Sequence, residues 1–455
     1  MASLLDSATR TLAGIAWPPL VDGDTAAMVA LARHLESSQW YDPETLQTKQ
    51  FAQMGMVAPW LAAHSPAFAR RLEAAGLAAG RLADPEDFAA LPPIDRRWFR
   101  EFPDVDCDAV PAGHEPVGTT VTSGSTGEFI RVKRTRVSQL VWLAMMLRDH
   151  CWRGTDFGVP LATAKAPSPG LKRYPNWGAP ANLLFETGPA LVLPINMPGD
   201  DMLDLLREFR TGNLLIYPNA LGALIGTAER RGERLEDLRV VRTVGEVVTD
   251  SLRERCRAVL GVPIVDAYTC QEAGYLALEC PESGLYHVMA EAVIVEVLRP
   301  DGTACGEGET GKVVITDLHN HATPIVRYAL GDLAEVGGPC GCGRGLPTIR
   351  RIVGRSRNLL RLPDGTRVWP SLGGFGDRGY LHVVPILQFQ LQQTALDLIE
   401  IRLVTERPLT AEEEELVKER TLQAIGHPFR IEFRYFEGRL PRPPSGKFED
   451  FICLV

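Results

Sequence analysis

The stretch Thr119-Thr120-Val121-Thr122-Ser123-Gly124-Ser125-Thr126-Gly127 constrains this chain more than any other. Glycine lets a backbone come close to a ligand, and successive free N–H groups in such a run form a nest for anions. The hydroxyls of Ser123, Ser125 and Thr126 add donors. A strand-like segment, Phe129-Ile130-Arg131-Val132-Lys133-Arg134, follows, and its three cations suit the neighbourhood of a polyphosphate. No Gly-Lys-Ser/Thr follows at the spacing of a Walker loop, so the nest is of another kind.

At 455 residues the chain exceeds one ordinary core, and two or more domains are expected. Its 48 basic and 57 acidic residues leave a net charge of −9 with no Lys/Arg-rich block, which argues against nucleic acid or an anionic membrane as partner. No apolar run approaches the roughly 20 residues of a membrane span. The first twenty residues lack a basic leader and a continuous apolar stretch, so a cytoplasmic location is expected. Nine cysteines, an odd number, read as thiols or metal ligands rather than a disulfide framework.

From about residue 24 to 77 the chain reads as helical, its apolar positions recurring at mixed two- to four-residue steps, and Asp84-Pro85-Glu86-Asp87 starts a further short helix by its capping chemistry. Short apolar runs at 191–194, 214–218, 240–244 and 263–268 then alternate with helical stretches at 200–210, 220–231 and 251–260. Such alternation predicts an α/β sheet with ligands at the carboxyl ends of its strands. After Gly274 the pattern becomes antiparallel β, with the turn Arg299-Pro300-Asp301-Gly302 between strands at 292–298 and 312–316. A boundary is expected near Gly354-Arg355, giving a large domain over 1–354 and a small α+β domain over 355–455.

Cys280 and His287, with Cys340 and Cys342 further on, supply three thiols and one imidazole, a closed tetrahedral set suited to structural Zn²⁺. The competing reading is a group of buried thiols acting as small hydrophobes.

Five islands fall in a fixed order: the 122–127 loop; Asp266-Ala267-Tyr268-Thr269-Cys270-Gln271-Glu272; Arg327-Tyr328-Ala329-Leu330-Gly331-Asp332; Gly354-Arg355-Ser356-Arg357-Asn358; and Pro441-Arg442-Pro443-Pro444-Ser445-Gly446-Lys447. Together they resemble the adenylate-forming superfamily of acyl-CoA synthetases, adenylation domains and luciferases. Tyr41-Asp42-Pro43, Gly245-Glu246-Val247-Val248-Thr249, Glu279-Cys280 and Cys340-Gly341-Cys342-Gly343-Arg344 look like its phenylacetate–CoA ligase branch.

The resemblance implies a large multi-sheet α/β domain with a β-rich zinc-bearing part and a small mobile α+β domain. It implies activation of a carboxylic acid, aromatic or small, by ATP and Mg²⁺ to an acyl-AMP, then transfer to CoA. Ser123, Gly124, Ser125, Thr126 and Gly127 would cradle the phosphates, Tyr268 would stack on adenine, and Asp332 would take the ribose hydroxyls. Gly245, Glu246, Asp266, Thr269 and Arg355 would complete the nucleotide site. Glu272 would hold Mg²⁺, and Lys447 would bridge the substrate carboxylate and the α-phosphate. The likeness also allows a homodimer.

Three departures matter. Glu128 stands where the family carries Lys, Thr269 and Gln271 alter the motif before Glu272, and Arg357-Asn358 replaces the hinge aspartate. They keep open an acceptor other than CoA, such as a carrier protein or an amine, and a degenerate nucleotide-binding regulator. With CoA as acceptor, the hinge change predicts thioester formation slower than adenylation.

Overall fold

The computed structural model describes residues 11–15, 20–121, 130–165, 170–355, 358–368, 386–438, 440–441 and 448–455. They group into two compact units that interleave along the chain. One comprises Met1–Val159, Tyr174–Pro189 and Asp266–Val353, and the other Pro160–Arg173, Ala190–Val265 and Gly354–Val455. Among the described residues no helix is long and apolar enough to cross a membrane.

In the first unit the helical region divides into Gly23–Ser38, Pro43–His64 and Pro66–Ala74. Each start is dictated locally. The side chains of Asp22, Asp42 and Ser65 accept from the N–H groups of Thr25, Thr45 and Phe68, and Pro43 and Pro66 open the second and third helices. The faces so formed bury Met54, Val57, Leu61, Phe68 and Leu72 against Leu82, Phe88 and Leu91. The antiparallel strands lie in the order Val293–Leu298, Thr310–Asp317, Tyr328–Val336, Thr348–Arg355, Tyr286–Val288, Gly274–Glu279, Ile264–Cys270. The last two strands meet at a tight corner, where Cys270 faces Gly274. Gly274 has φ +87°, and a Cβ there would come within 3.1 Å of the Trp142 ring, so a larger residue would be strained and would have to displace the ring.

Trp142 belongs to the helix Arg136–Trp152, which the sequence pattern does not announce. The reason is that its buried face carries charge. Arg148 sits at 4% exposure, its guanidinium paired with Glu291 at 2.8 Å, and Glu291 also accepts from the Ser38 hydroxyl at 2.6 Å. A buried ion pair interrupts the apolar period, with each charge meeting its opposite across the fold.

In the second unit the strands lie in the order Val240–Val244, Asn213–Ile216, Leu161–Ala164, Ala190–Val192, Lys172–Tyr174. Val240–Val244, Asn213–Ile216, Leu161–Ala164 and Ala190–Val192 pair in parallel. The helices Gly199–Glu208, Pro218–Arg231 and Asp250–Arg255 separate them in sequence, as the alternation predicts. Leu203, Leu206, Leu214, Ile216, Leu221, Leu224 and Val241 form their common core. The remainder of this unit holds a four-stranded sheet in the order Arg430–Tyr435, Leu398–Thr405, Ile386–Ala395, Phe451–Cys453. The helix Ala411–Ile425 accompanies it, opened by a Thr410/Glu413 capping box and closed by Gly426 at φ +72°.

Candidate functional site

The strand Ile264–Cys270 and the strand Tyr328–Val336 each carry a tyrosine four residues before an acid: Tyr268 before Glu272, and Tyr328 before Asp332. The fold crosses them. The Tyr268 hydroxyl donates to Asp332 Oδ2 at 2.7 Å, and the Tyr328 hydroxyl faces Glu272 Oε1 at 3.5 Å. Arg96 approaches the same Glu272 oxygen at 3.6 Å. Both acids are nearly buried, at 9% and 4% exposure, so each is tied to a donor rather than to bulk water. Burial, then the charge of Glu272, holds the Tyr328 phenol above its ordinary pKa, so it remains a donor.

Asp266 is buried too, its carboxylate accepting from the Tyr286 hydroxyl at 2.8 Å while its N–H donates to Glu279 Oε2 at 2.8 Å. Thr269 is half-buried and lies opposite Tyr275, next to the irregularity in the strand pair. Arg355 ends the strand Thr348–Arg355. The candidates Ser123, Gly124, Ser125, Thr126, Gly127 and Lys447 lie outside the described residues. Of the cations after the loop, Lys133 pairs with Asp106 at 3.3 Å. Arg134 is buried with its guanidinium 4.2 Å above the Trp142 ring and donates to the Gln271 carbonyl. Burial lowers its pKa from the usual guanidinium value.

The three cysteines and the histidine come together. The ligating atoms of Cys280, His287, Cys340 and Cys342 all lie within 4.8 Å of one another. Cys340 Sγ is 3.8 Å from Cys280 Sγ, and Cys342 Sγ is 3.3 Å from His287 Nε2. His287 Nδ1 faces the Leu346 carbonyl at 3.3 Å, which favours the tautomer that leaves Nε2 free to bind a metal. Burial pushes the imidazole down to about 4, so it is neutral, as a metal ligand must be. Burial also raises the Cys280 thiol, but the N–H groups of Glu282 and Ser283 and the Ser283 hydroxyl outweigh it and the net shift is downward. A second layer supports the cluster. Arg344 lies over the Trp40 and Trp152 rings at 4.9 and 4.4 Å, and its Nε and the Trp152 indole both donate to Gln39 Oε1. Gly345 donates to the Gln39 carbonyl, and any Cβ there would strike the Tyr41 carbonyl oxygen. These donors and this spacing fit a tetrahedral zinc ion.

No family model matches the chain. It is 26% identical over 357 residues to the phenylacetate–coenzyme A ligase of Escherichia coli, covering 74% of this chain and 76% of that protein. Its identity to the phenylacetate–coenzyme A ligase of Thermus thermophilus is 25% over 394 residues, covering 81% and 83%. The chain is related to the phenylacetate–coenzyme A ligases. Its fold matches that of a 2-hydroxyisobutyryl-CoA ligase crystallised in the postadenylation state with its acyl-AMP, at a TM-score of 0.67 and 19% identity over 88% of this chain and 87% of that one. That is the fold of the adenylate-forming ligases.

For a phenylacetate–CoA ligase relative, several partners were not legible beforehand. Tyr286 and Arg96 hold Asp266 and Glu272 from outside the quoted motifs, while Tyr328 and Glu279 lie within them but had no role assigned. The Tyr-x-x-x-acid spacing shared by the second and third islands is the signal that would have found Tyr328. Gly245 turns at φ +77° and presents Glu246, whose Oε2 accepts from the Asn219 N–H at 3.0 Å and whose Oε1 accepts from the Phe448 N–H at 2.9 Å. Asn358, at the position of the altered hinge, donates from Nδ2 to Glu449 Oε2 at 2.9 Å. Trp177 and Phe185 pack around Phe157, with Phe157 and Phe185 stacked at 4.5 Å. They are core side chains here.

Proposed function

We propose that this chain activates a carboxylic acid with ATP to an enzyme-bound acyl-AMP, releasing pyrophosphate, and transfers the acyl group to coenzyme A. The observation that carries the reading is the crossed pair Tyr268–Asp332 and Tyr328–Glu272 in a chain related to phenylacetate–CoA ligases. Two acids held in place by phenols suit two separate tasks, one accepting from ribose hydroxyls and the other carrying Mg²⁺. On this reading Asp332 takes the ribose, Glu272 the metal, and the Tyr268 ring the adenine. The 123–127 loop cradles the phosphates, while Gly245, Asp266, Thr269 and Arg355 border the nucleotide. Lys447 supplies positive charge where it develops at the α-phosphate, so its contribution belongs to the transition state. Residues 355–455 act as the small mobile domain that brings it in. Zinc at Cys280, His287, Cys340 and Cys342 is structural, tying the 280–287 hairpin to the 340–346 loop. The acid is aromatic or small.

Pyrophosphate exchange measured over a panel of carboxylic acids tests this. Exchange with at least one acid, followed by a CoA thioester of the same acid, is expected. No exchange with any acid would leave a nucleotide-binding regulator, and acyl-AMP accumulating in the presence of CoA would point to another acceptor.

A further inference from the structure

The residue after Lys447 is held by a carboxylate from a distant segment. Phe448 is 7% exposed, and its ring packs with Val404, Leu440 and Phe436. The following residues are tied to the same C-terminal part of the chain. Gln390 Nε2 donates to the Glu449 carbonyl at 2.9 Å, Asn358 donates to the Glu449 carboxylate, and the Leu391 N–H donates to the Asp450 carbonyl at 2.8 Å. The Phe448 N–H instead reaches Glu246, 202 positions away.

Glu246 is suited to the task. Its other oxygen accepts from Asn219 in the first turn of the helix Pro218–Arg231, which has no side-chain cap of its own. A helix start presents unsatisfied N–H groups and partial positive charge, which orients a carboxylate placed there. Gly245, in a left-handed conformation open chiefly to glycine, directs it.

We infer that Glu246 is a positioning residue: it docks the main chain at Phe448 and thereby sets where Lys447 can act in adenylation. The inference rests on the proposed role of Lys447. It assigns Glu246 to the protein's own backbone rather than to nucleotide. A carboxylate–amide bond is strong enough to set a position and weak enough to break and re-form. A misplacement of about 1 Å at a reacting group costs on the order of 10²-fold in rate.

Glu246→Ala and Glu246→Gln test this, with thermal melting to confirm folding and hydrogen exchange to follow the Phe448 amide. Both variants should lower the turnover of pyrophosphate exchange, Ala by about 10- to 100-fold and Gln by less, with KM for ATP unchanged. Acyl-CoA formation from supplied acyl-AMP should stay near the parent rate, and the Phe448 amide should exchange faster. Unchanged amide exchange overturns the docking. Unchanged turnover, or a rise in KM for ATP at constant turnover, overturns the positioning role in favour of none or of a nucleotide contact. A parent protein that exchanges pyrophosphate with no acid overturns the proposed function itself, and the positioning role with it.

Discussion

The Cys/His cluster and the Glu246–Phe448 contact both tie together segments far apart in sequence, and they do so by opposite means. The cluster converges four donors, backed by Arg344, Gln39 and two tryptophans, on one point. With zinc bound, as proposed, such a junction would not open without losing the metal. The Glu246 contact is a single carboxylate between two N–H groups, and water can replace either at a net cost of roughly 1–3 kcal/mol. The contrast teaches how one chain can serve two needs: many convergent donors hold a hairpin in place, while a single carboxylate makes a contact that can be remade.

Lys447→Ala presses hardest on this contrast. Adenylation should fall by about 10³-fold, roughly 4 kcal/mol, with ATP binding and metal content retained. Near-normal exchange would move the chemistry away from the chain end and leave Glu246 nothing to position.

Zinc removal tests the permanent side. Elemental analysis should find one zinc per chain, and Cys280→Ser should lose it and lower Tm by on the order of 5–10 °C. At temperatures where the variant remains folded, KM for ATP should hold. A metal-free parent as stable as this variant would reduce the cluster to packed thiols.

A smaller effect separates a ligand-binding acid from a structural one. Asp332→Ala should raise KM for ATP about 10- to 100-fold, or about 2 kcal/mol. Tyr268→Phe should reproduce only part of that rise, since it removes the phenol that orients Asp332 and spares the carboxylate. If Tyr268→Phe matched Asp332→Ala, the pair would act as one structural hydrogen bond.

The smallest effect concerns pH. Burial, reinforced by His114 and His319, pushes His321 down to about 4. A buried neutral imidazole contributes stability that is fully present above its unfolded value near 6.5. That stability is lost as pH falls from there towards 4, because the unfolded chain takes up the proton first. Urea midpoints at pH 7 and pH 5 should therefore differ by about 1 kcal/mol more in the parent than in His321→Gln. Equal differences would assign the acid lability to other groups.

What could be read from residues alone was local. Caps at Asp22, Asp42, Ser65 and Thr410 mark helix starts because a side chain reaches an N–H only two or three positions away. The strand Val240–Val244 appears where its pattern places it, since periodicity is a property of consecutive residues. The Cys/His set was legible because few combinations of residue types can serve a tetrahedral metal. Only the tertiary structure decided the rest. The helix Arg136–Trp152 hides its period behind a buried Arg148–Glu291 pair, whose members lie 143 positions apart. Tyr268 and Asp332 are 64 apart, and Glu246 and Phe448 are 202 apart. Such partners are chosen by strand order and by the turn at Gly245, and burial then makes the choice binding, because a polar group taken out of water must find its partner wherever the fold has brought one.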